Sequence, residues 1–268
     1  MTDATMSLTT SDVVDSDRAR SGIPRRRLVS GALGVAGALA MATAAARPSQ
    51  AASPLGGAGL HTVVGLGSRA AHVHPLQQAL SQKGYWLGEP DGYYGHLTQQ
   101  AVYALQKANG LTPDGQFGRN SFFALAGELP APRTPAPDLP GNRIPRGVRI
   151  EIDLGAQLLK VIEGGRTRWV FNTSTGNGQP YDWYGQTLSA VTPAGSFSVF
   201  NTYSPGWQPG PLGDLYRPQY FNGGIAVHGS EYIPPWADSH GCARVSVAAM
   251  DMFWETGTMT MDTPVTVV

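Results

Sequence analysis

The sequence predicts two folded parts of different class: a small all-α unit of three helices, then a mainly antiparallel β domain carrying one helix. Three observations predict it. Apolar residues recur at three- and four-residue spacing between positions 74 and 126. From Val148 onward they recur at period two. Between the two patterns, residues 128–147 hold six prolines and no apolar period. The 34 glycines and 21 prolines among 268 residues exclude an all-helical protein, and 41% apolar residues exclude wholesale disorder. Nineteen bases balance 19 acids, so charge gives no reason to expect a nucleic-acid partner. Cys242 is the only cysteine, which excludes an intramolecular disulfide framework and a Cys-rich zinc module.

Residues 1–51 read as an export signal peptide of twin-arginine type, not as fold. Arg25-Arg26-Arg27 precede a short, mildly apolar run, Gly31 to Ala46, and small residues follow at Ser49-Gln50-Ala51-Ala52, with cleavage expected near residue 51. The run is shorter than the about 20 apolar residues of a membrane span; an uncleaved anchor is the alternative. The protein is therefore expected outside the cytoplasm, in contact with the membrane only during export. The leader holds six of the 19 bases and four of the 19 acids, which leaves 13 against 15 and a net charge of −2. In an extracytoplasmic compartment an unpaired thiol is an oxidation hazard, so Cys242 is expected to have a use.

Three helices are predicted over 70–127. The first, 74–83, carries Leu76, Ala79 and Leu80 on one face and stops at Gly84. The second, 97–108, carries Leu97, Ala101, Val102 and Leu105 and ends at Asn109-Gly110; the third covers 120–126 before Gly127. Asp91-Gly92 and Asp114-Gly115 mark the turns between them. Tyr85, Trp86, Tyr93 and Tyr94 lie between the first two helices, either as core or as a contact surface. Gly84-Tyr85, Asp91-Gly92-Tyr93-Tyr94-Gly95 and Gln106-Lys107-Ala108-Asn109-Gly110-Leu111 followed by Asp114-Gly115 together resemble the peptidoglycan-binding domain appended to many cell-wall enzymes, with His96 as a departure. His61, His72 and His74 have no partners in any pattern and read as surface residues. The prolines of 128–147 then form a semi-rigid spacer.

The β domain, 148–268, begins with Val148, Ile150, Ile152 and Leu154 alternating with charged residues. Further strands are predicted at 157–163, 166–173, 195–203, 224–228 and 258–268. One helix, 247–255, is capped by Ser246 and closed by Gly257. Ser204 to Asn222 reads as a long aromatic- and Gly/Pro-rich insertion.

The chemistry centres on Ala226-Val227-His228-Gly229-Ser230 and Ser239-His240-Gly241-Cys242-Ala243-Arg244-Val245. A histidine on a strand end can take the proton of a thiol nucleophile, and a tight bend at Gly241 can aim the Gly241 and Cys242 amides at an oxyanion. The residues alone leave two alternatives: a buried, inert cysteine, or zinc held by His228, His240 and Cys242, whose spacing is unlike that of common structural sites.

His-Gly-x9-Ser-His-Gly-Cys-x-Arg-Val, with Thr192-Pro193-Ala194-Gly195-Ser196-Phe197 and Ser174-Thr175-Gly176 upstream, resembles the L,D-transpeptidase catalytic domain of YkuD type over about 148–268. The resemblance implies a β-sandwich with one helix. It implies Cys242 as nucleophile, His228 as its base, and Ser239, His240 and Gly241 shaping the oxyanion site. Arg244 is placed either on substrate or in an ion pair. No cofactor or metal is implied. The implied reaction is acyl transfer: the thiolate attacks a tetrapeptide stem, D-alanine leaves, and an amine of a neighbouring stem resolves the thioester into a cross-link between third-position diamino acids. Tyr203, Trp207, Tyr216, Tyr220 and Phe221 are expected to form a lid, with Trp207, Tyr216 and Tyr220 on substrate. Peptidoglycan is the implied partner, and carbapenem β-lactams the implied inhibitors. Transfer to water or to a D-amino acid, and a catalytically silent wall-binding protein, are the alternatives. A papain-like peptidase is disfavoured because it places Cys before His.

Overall fold

The computed structural model describes residues 62–127 and 147–268, which fall within one compact unit. The leader, His61 and the spacer apart from Gly147 lie outside the described residues.

The helical unit consists of α1 (Val73–Gln82), α2 (His96–Ala108) and α3 (Arg119–Ala126). Leu76, Ala79 and Leu80 of α1 meet Ala101, Val102 and Leu105 of α2 in one core, as the helical periodicity requires. Tyr85 and Tyr94 are fully buried in it, which decides between the two roles open to them. Two buried glutamines hold the turns by the same device. Gln77 Nε2 donates to Asp91 Oδ1 (2.8 Å), and Gln77 Oε1 accepts the Gly92 amide (2.8 Å). Gln106 Nε2 donates to Asp114 Oδ1 (2.7 Å), and Gln106 Oε1 accepts the Gly115 amide (3.0 Å). Each aspartate also caps the amide two residues on, at 2.9 Å, the local bond that makes Asp-Gly a turn signal. His72, expected at the surface, is half-buried at the N-cap of α1, where its Nε2 has no partner among the described residues.

The β domain runs β1 (Val148–Asp153), β2 (Leu158–Glu163), β3 (Arg166–Asn172), β4 (Pro180–Trp183), β5 (Gln186–Ser189), β6 (Gly195–Ser198), β7 (Asn201–Thr202), β8 (Trp207–Gln208), β9 (Leu215–Asn222), β10 (Ile225–Ser230), β11 (Ala243–Ser246), α4 (Val247–Thr256) and β12 (Pro264–Val267). One sheet has the order β3-β2-β1-β12-β6, and the other β11-β10-β9-β7 with β8 also on β9. β1 with β12 and β10 with β11 pair in parallel; the other pairs are antiparallel. Ile150, Ile152, Val161 and Val265 from the first sheet share a core with Val227, Ala243 and Val245 from the second and Phe253 of α4. α4 begins where Ser246 Oγ accepts the Ala249 amide (3.1 Å) and ends at Gly257 with φ +65°.

Three expectations change. The strand predicted over 195–203 is two strands in different sheets, because the chain crosses between layers at Val199-Phe200. The last strand shortens to β12, since Asp262 takes φ +65° just before it. The Ser204–Asn222 insertion is not loop alone: it contains β8 and the eight-residue β9, the inner neighbour of β10.

The helical unit leans directly on this domain. The Val170 amide donates to Gly84 O (2.8 Å), the Trp86 amide to Val170 O (3.3 Å), and Leu158 and Val170 belong to the helical core.

Candidate active site

Parallel pairing of β10 with β11 brings the two motifs together. His228 is the register partner of Arg244, and Val227 that of Ala243. Side chains alternate along a strand, so Val227, Ala243 and Val245 enter the core while His228 and Arg244 share the opposite face, with Cys242 one step before β11 on that face. The Cys242 Sγ accepts the Ala226 amide at 3.4 Å and lies 3.7 Å from Gly224 O.

His228 is buried, and its Nδ1 lies 2.9 Å from Gly229 O. A carbonyl only accepts, so Nδ1 carries the hydrogen and Nε2 presents its lone pair. Burial pushes the imidazole pKa down to about 4, helped by the Arg244 guanidinium and opposed by the Gly229 bond. His228 is therefore neutral at pH 7 and ready to accept a proton. Burial also raises the Cys242 thiol above its ordinary value, against the pull of the Ala226 N–H and Arg244. Both shifts favour the neutral forms, thiol and imidazole, over an ion pair.

The Ser239–Cys242 loop is locked by hydrogen bonds. Ser239 Oγ donates to Cys242 O (2.6 Å) and accepts the Gly241 amide (3.0 Å). The Gly241 amide is therefore not free for the oxyanion role expected of it, whereas the Cys242 amide has no acceptor among the described residues. Gly241 has φ +141°, and an added Cβ would lie 3.0 Å from Val191 O, so only glycine fits the bend. Below the loop, Ser174-Thr175-Gly176 acts as a frame. Thr175 O accepts the Asp238 (3.0 Å) and Ser239 (2.9 Å) amides, and Ser174 O accepts that of Arg244 (3.1 Å). Thr192 Oγ1 donates to Gly241 O (2.6 Å) and accepts the Gly176 amide (2.9 Å). Among the described residues no group of histidine, cysteine and carboxylate side chains gathers as a metal site, and the His240 ring instead meets Tyr181 edge-to-face, centroids 4.9 Å apart.

Residues 147–267 match the family model described as the L,D-transpeptidase catalytic domain (YkuD), and residues 69–125 that of a putative peptidoglycan binding domain. The crystal structure of the L,D-transpeptidase (residues 123–326) from Xylanimonas cellulosilytica DSM 15894 is 42% identical, with a TM-score of 0.70 over 77% of this chain and 98% of that one. The chain belongs to the L,D-transpeptidase family. L,D-transpeptidases from Stackebrandtia nassauensis (20% identity, TM-score 0.40, 76% of this chain and 94% of that one) and Mycobacterium smegmatis (18%, 0.37, 45% and 58%) are more distant.

Within this member of the family the residues expected on substrate divide. Trp207 is 42% exposed, its ring tilted against Tyr216 with centroids 5.1 Å apart. Tyr220 is half-buried, and burial, with a smaller contribution from Cys242, raises its phenol pKa; its hydroxyl donates to Gln208 Oε1 (2.9 Å). Tyr216 faces the other way: its hydroxyl donates to Asp251 of α4 (2.9 Å), and its ring fills the space that a Cβ on Gly229 would enter. Phe221 is not in a lid at all, since β9 turns it into the core against Phe197. Arg244 pairs with Asp238 (3.6 Å), the ion-pair alternative, while its charge acts on both His228 and Cys242.

The sequence reading missed Tyr181 on the β4–β5 hairpin. The signal was an alternation flanking Tyr184-Gly185, whose φ values of +50° and +79° make a two-residue turn. Tyrosine in place of asparagine at the first turn position hid it.

Proposed function

We propose that this transpeptidase cross-links peptidoglycan stems through a Cys242 thioester. The thiol gives its proton to His228 Nε2 as Sγ attacks the carbonyl of the third stem residue, whose bond to the terminal D-alanine then breaks. The proton passes from His228 to the leaving amine, and D-alanine departs. The side-chain amine of a diamino acid on a neighbouring stem attacks the thioester, an amide forms, and the thiol is restored. The Cys242 amide supports the oxyanion in both steps. The observation that carries this reading is the neutral His228, with Nδ1 bonded to Gly229 and Nε2 without a partner among the described residues, on the face that Cys242 shares just before β11. The helical unit would hold the wall, and the leader would carry the chain to it, outside the cytoplasm.

Intact-protein mass after incubation with imipenem, whose strained lactam carbonyl acylates a nucleophilic thiol, tests the reading. An adduct is expected on the parent and not on Cys242→Ala. An adduct on neither would return the chain to a silent wall-binding role. Products from disaccharide-tetrapeptides then name the acceptor: cross-linked dimers for transfer, tripeptides for hydrolysis.

A further inference from the structure

Lys107 sits in the last turn of α2, in the helical unit, yet its ammonium bonds end on the β domain. Nζ donates to the carbonyl oxygens of Gln157, Thr173 (3.3 Å) and Pro235 (3.3 Å). No carboxylate reaches it among the described residues, and Asp153 acts only from a distance. Burial holds its pKa down to about 7. An ammonium buried on carbonyls alone is costly, and an apolar side chain of similar length would fill the same space. What the ammonium supplies is three donors to three separate segments.

Each segment leads to the nucleophile loop. Gln157, in the β1–β2 turn, donates through Nε2 to Thr175 Oγ1 (2.8 Å) and accepts the Thr175 amide on Oε1 (2.9 Å), and Thr175 O holds the Asp238 and Ser239 amides. Thr173 Oγ1 donates to Arg244 O (2.8 Å). Pro235 precedes Trp236, whose carbonyl accepts from Ser174 Oγ (2.8 Å). Seven residues earlier on the same face of α2, Gln100 Nε2 donates to Ile233 O (3.2 Å), and Gln100 Oε1 accepts from Asn172 Nδ2 (2.6 Å).

We infer that Lys107 is a positioning residue for acyl transfer, a clamp through which the helical unit holds the Ser239–Cys242 loop in its reactive geometry. The inference rests on Cys242 as the nucleophile proposed above. The helical unit is on this account part of the catalytic frame as well as a wall-binding module.

The test follows imipenem acylation of the full-length chain with Lys107→Met and Lys107→Arg, at a temperature well below the measured unfolding midpoint of each. The limiting acylation rate constant of Lys107→Met should fall at least about tenfold with the half-saturating concentration within about twofold, and Lys107→Arg should recover part of the loss. Should Lys107→Met not fold, Lys107→Gln, which keeps two N–H donors, is read on the same two constants, with a fall of at least about threefold expected. A folded Met or Gln variant that reacts at the parent rate overturns the clamp. A parent that forms no adduct overturns the nucleophile instead, so the two failures are distinct.

Discussion

Ser239 and Cys242 are joined by a 2.6 Å hydrogen bond from hydroxyl to backbone carbonyl, and the same hydroxyl oxygen accepts the Gly241 amide. One side chain thus closes the Ser239–Cys242 loop on itself. Ser239→Ala leaves the Gly241 N–H without that acceptor and the Cys242 carbonyl without that donor. Unfolding should become easier by about 1–3 kcal/mol. Acylation of Cys242 should slow by about 10- to 100-fold, since the loop loses its register under the thiol. Thermal unfolding and imipenem kinetics measure the two effects separately, and a Ser239→Ala protein with parent kinetics would show that the Ser174–Gly176 frame suffices alone.

His228 makes stability and activity depend on pH in a defined window. The unfolded imidazole binds its proton near 6.5 and the folded one at about 4, so between these values the unfolded chain carries more protons. Stability therefore rises with pH across this window, is complete above about 6.5, and is lost as the pH falls toward 4, by about 3 kcal/mol in all. His228→Gln should flatten this part of the profile. Lys107 acts in a separate, higher window: with a folded value of about 7 against 10.5, it makes stability rise from neutral pH to 10.5. For the reaction, His228 stays an available base down to about pH 5, so acylation should lack the step near 6.5 of an ordinary imidazole. An acid limb at 6 to 7 in the parent, absent from buffer controls, would contradict a neutral buried base.

Trp207 and Tyr216 touch each other, yet different consequences are expected from their loss. Trp207→Ala removes the exposed ring that stands on Tyr216 and should raise hydrolysis relative to transfer, read as the ratio of tripeptide to dimer. An unchanged ratio would remove Trp207 from any water-excluding role. Tyr216→Ala removes the bond to Asp251 and the packing on Gly229, so it should cost roughly 2–4 kcal/mol of stability. It should leave the product ratio of the folded enzyme unchanged.

Much of the fold was legible because the residues that define it are close in the chain. The alternation of Ile150 and Ile152, the Ser246 and Gly257 caps of α4, and the Asp-Gly turns of the helical unit all rest on contacts within a few residues. β9 was hidden by Pro218 and by Arg217 at φ +47°, which break its alternation, although the strand is held on both sides by β10 and β7. The change of sheet at Val199-Phe200 left no local mark, because the partners that define it, Val265 of β12 and Tyr220 of β9, are distant in sequence.

By itself the sequence supplied candidates for the chemistry. The motifs' resemblance to the family points to Cys242, His228 and the Ser239–Gly241 approach, and local periodicity sets the class of each domain. The tertiary structure alone decided the state in which those groups wait. His228 is neutral because burial and an Arg244 set beside it by parallel pairing disfavour its charge. Tyr216 and Phe221 left the expected lid because β9 turned them toward α4 and the core. Lys107 reaches Gln157, Thr173 and Pro235, which are 50, 66 and 128 residues away in the chain. Protonation, orientation and contact across such separations depend on where distant segments come to rest, and no local pattern encodes that.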